Sequence, residues 1–174
     1  IKLWRIVAAT RWDKVIDLRN SAVSRLIWSK ERFIFDHHVD HTQHKVQQIA
    51  HIMDLKKAPG PTLYFTKAQQ EFAQNMIPTG SPVIGVGPSA NWIGKTWPAE
   101  RFVEIIHWLG APGGLMPEAR VAVFGAPGEE AQAQPVLASV PEIQRINGIA
   151  MGSPGEIAAA LARCDLYIGN DSGL

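Results

Sequence analysis

A single cysteine, Cys164, is all the thiol that this 174-residue sequence contains. That excludes an internal disulfide framework and a thiolate metal cluster, and it suits a reducing compartment. Long apolar runs are also missing: none approaches the about 18 residues of a membrane-spanning helix. Charge of one sign is not in excess, because 17 Lys and Arg face 16 Asp and Glu for a net +1. Without a strong positive balance or a platform of aromatic and basic side chains, nucleic-acid binding is disfavoured. Neither an initiator methionine nor a short apolar leader with a small-residue cleavage site opens the chain, which starts at Ile1, so the sequence reads as part of something longer. What is there, 46% apolar and 19% charged residues, is the composition of a soluble globular protein able to bury a core.

The near-neutral total hides an uneven distribution. Residues 1–32 hold eight Lys and Arg (Lys2, Arg5, Arg11, Lys14, Arg19, Arg25, Lys30 and Arg32) against Asp13, Asp17 and Glu31, a net +5, and the rest of the chain offsets it at −4. A basic flank suits an anionic partner, while the even spacing of these charges suits an ordinary solvated surface; both readings stand.

Apolar periodicity gives the organisation. "KVIDL" (14–18) reads as a short buried strand, and Val23, Leu26 and Ile27 in the "NSAVSRLIW" that follows have helical spacing. "QHKVQQIAHIM" puts Val46, Ile49, Ala50 and Met53 on one stripe, "KKAPGP" breaks the chain, and "FTKAQQEFAQNMI" gives a further short helix ending near Pro78. "PTGSP" (78–82) is the most linker-like stretch, so the expected domains are residues 1–79 and 80–174.

Beyond that stretch strand and helix alternate. "PVIGVG" is a buried strand; Phe102, Ile105, Ile106 and Leu109 then fall at i, i+3, i+4 and i+7, with Pro98 suited to the first helical position and Gly110 to the stop. "RVAVFG" is the next strand, leading into "APGEEAQAQ", a loop and helix start. Ser153, Pro154 and Glu156 in "SPGEIAAALARC" have capping-box spacing, and "DLYIG" is another strand. Repeated units of this kind predict an α/β fold with a parallel sheet and right-handed crossovers, which binds ligands at the carboxyl ends of its strands.

Three strand ends carry candidate chemistry. "GPSANWIGKTWPAERF" (87–102) contains Gly94, Lys95 and Thr96, the tail of a phosphate-binding P-loop. The first glycine that such a loop needs is Ser89 here, the helix is better started at Pro98 than at Lys95, and "RVAVFG" ends without the acidic residue that would hold magnesium. A P-loop is therefore rejected. The segment still sets Ser89, Thr96 and Lys95 between a strand end and a helix start, where unpaired N–H groups and the helix dipole favour anions; a plain loop with a solvated lysine is the alternative. At "YIGNDSGL", the N–H groups of Ser172 and Gly173 suit a diphosphate, and Asp171 suits ribose or sugar hydroxyls or a helix cap. At "FGAPGEE", Glu129 or Glu130 suits a ribose diol, or forms an acidic first helical turn.

Together these segments, "GPSANWIGKTWPAERFVEI", "VFGAPGEE" and "DLYIGNDSGL" in that order, resemble the C-terminal half of family 9 glycosyltransferases, the heptosyltransferases that build the lipopolysaccharide inner core from ADP-heptose. In that family the loop before a K-x-W-P-x-x-R-F segment and the G-N-D-S-G loop hold the donor diphosphate; Lys95, Trp97, Pro98, Arg101 and Phe102, then Gly169 to Gly173, match here. "RWDKVIDLRNSAVSRLIW" is similar, more weakly, to a strand and helix late in the family's N-terminal domain. The resemblance implies a GT-B fold of two Rossmann-like domains with parallel sheets, the N-terminal one only partly present: residues 1–79 on the acceptor side and residues 80–174 on the donor side. It implies donor contacts from Ser89, Lys95, Glu129, Asp171, Ser172 and Gly173, an inverting reaction without metal or other cofactor, and work in the cytoplasm or peripherally at the inner membrane's cytoplasmic face. The family's glycine-rich loop with the carboxylate taken as general base lies before Ile1, so no catalytic residue is assigned and the piece by itself is expected to be inactive. Another nucleotide-sugar donor, or a non-catalytic nucleotide-binding module, are the alternatives.

Three features invite other readings. In "DHHVDHTQH" (36–44) His37, His41 and His44 have helical spacing that a metal site could use, but Thr42 sits where a helix cap would, so a polar loop and helix start are expected. Trp92 and Trp97 suit adenine stacking or plain packing, and packing is the simpler reading. Cys164, just ahead of a strand, reads as core.

Overall fold

The computed structural model describes residues 2–35 and 39–171, and the chain divides into two compact units, Ile1–Leu63 and Tyr64–Leu174. The division falls ahead of the "PTGSP" stretch, which places the helix at Lys67–Met76 in the second unit. Among the described residues no helix is long and apolar enough to cross a membrane.

The first unit runs α1 (Lys2–Val7), β1 (Trp12–Asp17), α2 (Ala22–Arg25), β2 (Ser29–Ile34) and α3 (Lys45–Ile52). β1 and β2 pair in parallel, with Trp12 opposite Ser29 and Asp17 opposite Ile34. Two ion pairs lie across them, Lys14–Glu31 at 3.1 Å and Lys30–Asp13 at 2.6 Å. Where β1 ends, Asp17 accepts hydrogen bonds from the Arg19 N–H (2.9 Å), the Ser21 N–H (2.6 Å) and the Ser21 hydroxyl (2.9 Å), closing the turn into α2. α3 starts two residues later than Thr42 would cap it. His44 is the N-cap, its Nδ1 accepting from the Val46 N–H at 3.3 Å, and the Gln47 side chain reaches back to the His44 N–H. Thr42 donates to Asp40 instead, at 2.7 Å.

The second unit is built on four strands, β3 (Val83–Gly87), β4 (Arg120–Gly125), β5 (Arg145–Ile149) and β6 (Leu166–Gly169), in the order β5-β4-β3-β6 and all parallel. The period of two along β3 and β4 sends alternate side chains to opposite faces. Ile84, Val86, Val121 and Val123 pack with Phe102, Ile106 and Leu109 of α5 (Ala99–Gly110) and with Val136 and Leu137 of α6 (Glu130–Ser139). Val83, Ala122 and Phe124 face the other way, onto Ala73 of α4 (Lys67–Met76) and Ala159 and Ala160 of α7 (Pro154–Leu161). Local signals start these helices. Thr66 and Gln69 exchange side-chain and backbone hydrogen bonds at the head of α4, and at α7 the Glu156 carboxylate accepts from the Ser153 N–H (2.6 Å) and hydroxyl (2.7 Å), with Pro154 in the first turn. Pro98 stands one place earlier than the first helical position, as the N-cap of α5.

Close packing also dictates one glycine in this sheet. A Cβ on Gly148 of β5 would lie 2.7 Å from the ring of Phe124, which is fully buried in the middle of β4.

Candidate functional site

The strand order makes one place in the second unit special. The chain leaves β3 toward β4 on one side, continues outward to β5, and returns through α7 to β6 on the other side of β3. The carboxyl ends of β3 and β6 therefore flank the switch point of the sheet, the place at which open α/β sheets hold ligands.

From β3 comes the loop 88–98, whose start is held down. Ser89 is fully buried, its hydroxyl donating to Glu129 Oε2 at 2.5 Å. The same oxygen accepts from the Ala126 N–H at 2.9 Å, and Gln132 Oε1 accepts from the Ala90 N–H at 3.1 Å. Ser89 thus serves as the anchor of Glu129, with its hydroxyl committed. Glu129 Oε1 makes no hydrogen bond among the described residues. Glu130 is exposed in the first turn of α6, and its carboxyl lies below the usual range because the N–H groups of Glu130 and Gly128 point at it. Gly94 and Lys95 form a single 3₁₀ turn, Ile93–Lys95, and α5 begins four residues after Lys95, so no Walker loop is present.

From β6 comes Asn170, which ties the two loops together. Its Nδ2 donates to the Pro88 carbonyl at 2.7 Å and its Oδ1 accepts from the Trp97 N–H at 3.0 Å. Next to it, the Asp171 carboxylate pairs with the Lys95 ammonium. That hydrogen bond, with the lysine's charge, holds the Asp171 carboxyl below the ordinary range. The pair is open to solvent: the lysine side chain is 45% exposed and the aspartate 86%. A solvent-open ammonium–carboxylate pair of this kind can exchange its partners for the anionic and hydroxyl groups of a polar ligand.

Of the residues singled out in the sequence, Lys95 and Asp171 meet, and Ser89 and Glu129 meet. Ser172 and Gly173 lie outside the described residues, as do His37 and His38. His41 packs on Phe35 with ring centroids 5.7 Å apart. Trp97 lies edge-on to Phe102 at 5.1 Å, while Trp92 is 63% exposed and covers Gly94. Cys164 is partly buried against the second cluster of the core, and burial pushes its thiol up to about 11. Sequence reasoning passed over the two amides that assemble the loops, Gln132 and the side chain of Asn170. The signal available was weak: an Asn directly after a buried strand, able to donate and accept at once.

The pattern of glycosyltransferase family 9 (heptosyltransferase) matches residues 30–174. No curated protein sequence matches the chain at a significant level. Among solved structures, a family 9 glycosyl transferase from Veillonella parvula superposes with a TM-score of 0.72 at 23% identity, over 98% of this chain and 55% of that one. Escherichia coli ADP-heptose lps heptosyltransferase II gives 0.65 at 18% identity, over 98% and 60% of the two chains. The E. coli heptosyltransferase WaaC, solved with ADP-2-deoxy-2-fluoro heptose, gives 0.61 at 20% identity, over 98% and 59%. The chain thus spans less than two thirds of the length of these structures. Its α/β fold with parallel sheets is of the GT-B type, and with the family pattern running from residue 30 to residue 174 the chain belongs to glycosyltransferase family 9, the heptosyltransferase family.

Proposed function

We propose that the chain is the donor-holding part of a glycosyltransferase that moves heptose from ADP-heptose to the inner core of lipopolysaccharide. The observation that carries this reading is the meeting of Lys95 and Asp171 across the switch point, on loops clamped by Asn170. Residues 80–174 supply the donor side in this reading and residues 1–79 belong to the acceptor side. Lys95 meets the diphosphate together with the N–H groups of Ser172 and Gly173. Glu129, fixed by Ser89, offers its free Oε1 to a ribose hydroxyl, and Asp171 accepts from a ribose or sugar hydroxyl. Membership in the heptosyltransferase family supports the transferred group, and so does the likeness to structures whose names include ADP-heptose and an ADP-heptose analogue.

The reaction is a single displacement with inversion and without metal. A carboxylate base takes the proton of the acceptor hydroxyl, which attacks the anomeric carbon as ADP leaves. Lys95 and the loop N–H groups stabilise the charge that builds on the departing diphosphate, which is where preorganised donors contribute most. An enzyme with this acceptor works in the cytoplasm, peripherally at the inner membrane. The test uses the longer protein that contains this chain: release of nucleoside diphosphate is followed with ADP-heptose and a heptose-free lipopolysaccharide, with UDP-glucose as a control donor. Release that depends on the acceptor and on ADP-heptose is expected; release from UDP-glucose alone, or none from ADP-heptose, refutes the reading.

A further inference from the structure

The basic flank of the sequence resolves into paired and unpaired charges. All three acids of residues 1–32 are taken: Asp13 by Lys30, Glu31 by Lys14, and Asp17 by the N–H groups and hydroxyl of the turn into α2. Among the described residues neither Arg25 nor Arg32 has a carboxylate within ion-pair distance. The residue of β1 directly opposite Arg32 is Val15, whereas Lys14 beside it stands opposite Glu31.

These two arginines line one cleft of about 400 Å³ that lies wholly within the first unit. Three consecutive residues of β2 border it, Arg32 and Ile34 from one face and Phe33 from the other, so the cleft runs round the edge of β2 that faces away from β1. The two guanidinium groups belong to the same side of it. The Arg32 Nη2 donates to the Ile27 carbonyl at 2.8 Å, which draws this side chain to the end of α2, the turn that carries Arg25. That bond uses one N–H of the Arg32 fork and leaves the others for a ligand. Val39, which is buried, and His51 and Ile52 at the end of α3 supply the remaining wall. No acidic residue contributes to the described lining.

We propose that this cleft binds a phosphate monoester. Two planar forks at the end of one turn match the three terminal oxygens and nearly double charge of such a group, whereas a carboxylate has only two oxygens and one charge to divide between them. The imidazole of His51 supplies a further donor, and Ile34, Val39 and Ile52 cover the carbon atoms that carry the phosphate. The site owes nothing to the nucleotide contacts proposed above, because every residue in it belongs to the first unit. A soluble sugar phosphate and a lipid phosphate headgroup present this chemistry alike.

The test has two arms. In the first, the uniformly ¹⁵N-labelled chain is titrated with glucose 6-phosphate, and with glucose as the uncharged control, while the amides and the arginine Nε–H signals are followed by NMR. In the second, the chain is sedimented with phosphatidylcholine vesicles that contain or lack phosphatidic acid. Saturable shifts at Arg25, Arg32 and the neighbouring amides of β2 are expected with the sugar phosphate only, or sedimentation that requires phosphatidic acid; the first result alone identifies a soluble phosphate and the second alone a lipid headgroup. Arg25→Gln, at an exposed position, is expected to weaken the binding about tenfold, the scale of one charge-assisted contact. Arg19→Gln, outside the cleft, is expected to leave it unchanged, and the ¹⁵N spectra of both variants show whether the fold persists. No binding in either arm, equal shifts with glucose, equal losses from Arg25→Gln and Arg19→Gln, or shifts as large at Lys2, Arg5 and Arg11 as in the cleft would each overturn the proposal.

Discussion

Replacing Lys95 with alanine separates a diphosphate site from an ordinary surface loop. The ammonium is paired with Asp171, an exposed pairing that both partners exchange readily with water. A diphosphate offers more oxygens and more charge than one carboxylate, so it takes the lysine and leaves Asp171 free for a hydroxyl. A hydrogen bond to a charged group contributes about 1.5 to 3 kcal/mol, and for a half-exposed lysine the lower end applies. Lys95→Ala is therefore expected to weaken ADP about tenfold, the equivalent of about 1.4 kcal/mol. Titration calorimetry of both proteins with ADP at low and high salt is the assay, because screening shrinks the difference if the contact is ionic. Asp171→Asn, which removes the competing carboxylate while keeping the side-chain volume, separates the two hydroxyls open to Asp171: tighter ADP binding than the wild type is expected where Asp171 serves the transferred sugar, which ADP lacks, and weaker binding where it serves the ribose, which ADP keeps. Equal ADP affinity for wild type and Lys95→Ala would refute the reasoning.

Four other outcomes follow from the contacts described. Asn170→Ala leaves the Pro88 carbonyl and the Trp97 N–H without their partner and is expected to cost about 1 to 2 kcal/mol, read from the midpoint of urea unfolding at constant slope; an unchanged midpoint contradicts its clamping role. Gly148→Ala forces the buried Phe124 ring and is expected to cost about 1 to 3 kcal/mol, with partial recovery in a Gly148→Ala, Phe124→Leu double variant; additivity of the two single changes contradicts the clash. Thr66→Ala removes one half of the α4 capping box, an expected loss of about 1 kcal/mol in the same assay. For Asp17, burial pushes the carboxyl up, but hydrogen bonds from Ser24, Arg19 and Ser21 outweigh it and bring it down to about 2. A depressed carboxyl stabilises the fold above its ordinary value of 3.8, and that contribution is lost as pH falls from there through about 2. Carboxyl NMR of Asp17 is expected to show the low midpoint, and a midpoint near 3.8 counts against the turn.

The legible parts of the fold were those with strong local signals. β3, β4 and β6 are dense in Val, Ile and small residues, and α5 carries its apolar face at regular spacing, so periodicity located all four. β5 escaped because "RINGI" has Asn147 and Gly148 at its middle, residues that ordinarily mark turns. Here Asn147 is tolerated because the strand is an edge and its side chain satisfies the Ile149 N–H. In the first unit, Lys2–Val7 and Ser29–Ile34 mix charged and apolar residues without a clean period, so neither α1 nor β2 stood out. That Glu129 and not Glu130 is the anchored carboxylate could not be read locally either. It depends on Ser89, 40 residues earlier, being brought under the α6 start. The return of β6 to the side of β3 away from β4 has no local signature at all, and yet it creates the switch point.

That return has a consequence for how the chain acquires its site. The contacts that close β6 onto β3, from Val83 to Asp165 and from Asn170 to Pro88, each join residues 82 positions apart. This is the largest sequence separation among the strand pairings of the sheet, so the β3–β6 pairing cannot form until nearly the whole unit has been made. During synthesis from the amino end, Lys95 waits on an unfinished ledge until Asp171 has been made. A ligand held by both loops therefore has nothing to recognise in a partly folded chain. A ligand that binds only the finished sheet adds its binding energy to that last step, so the proposed nucleotide is expected to hold the final strand more firmly in place.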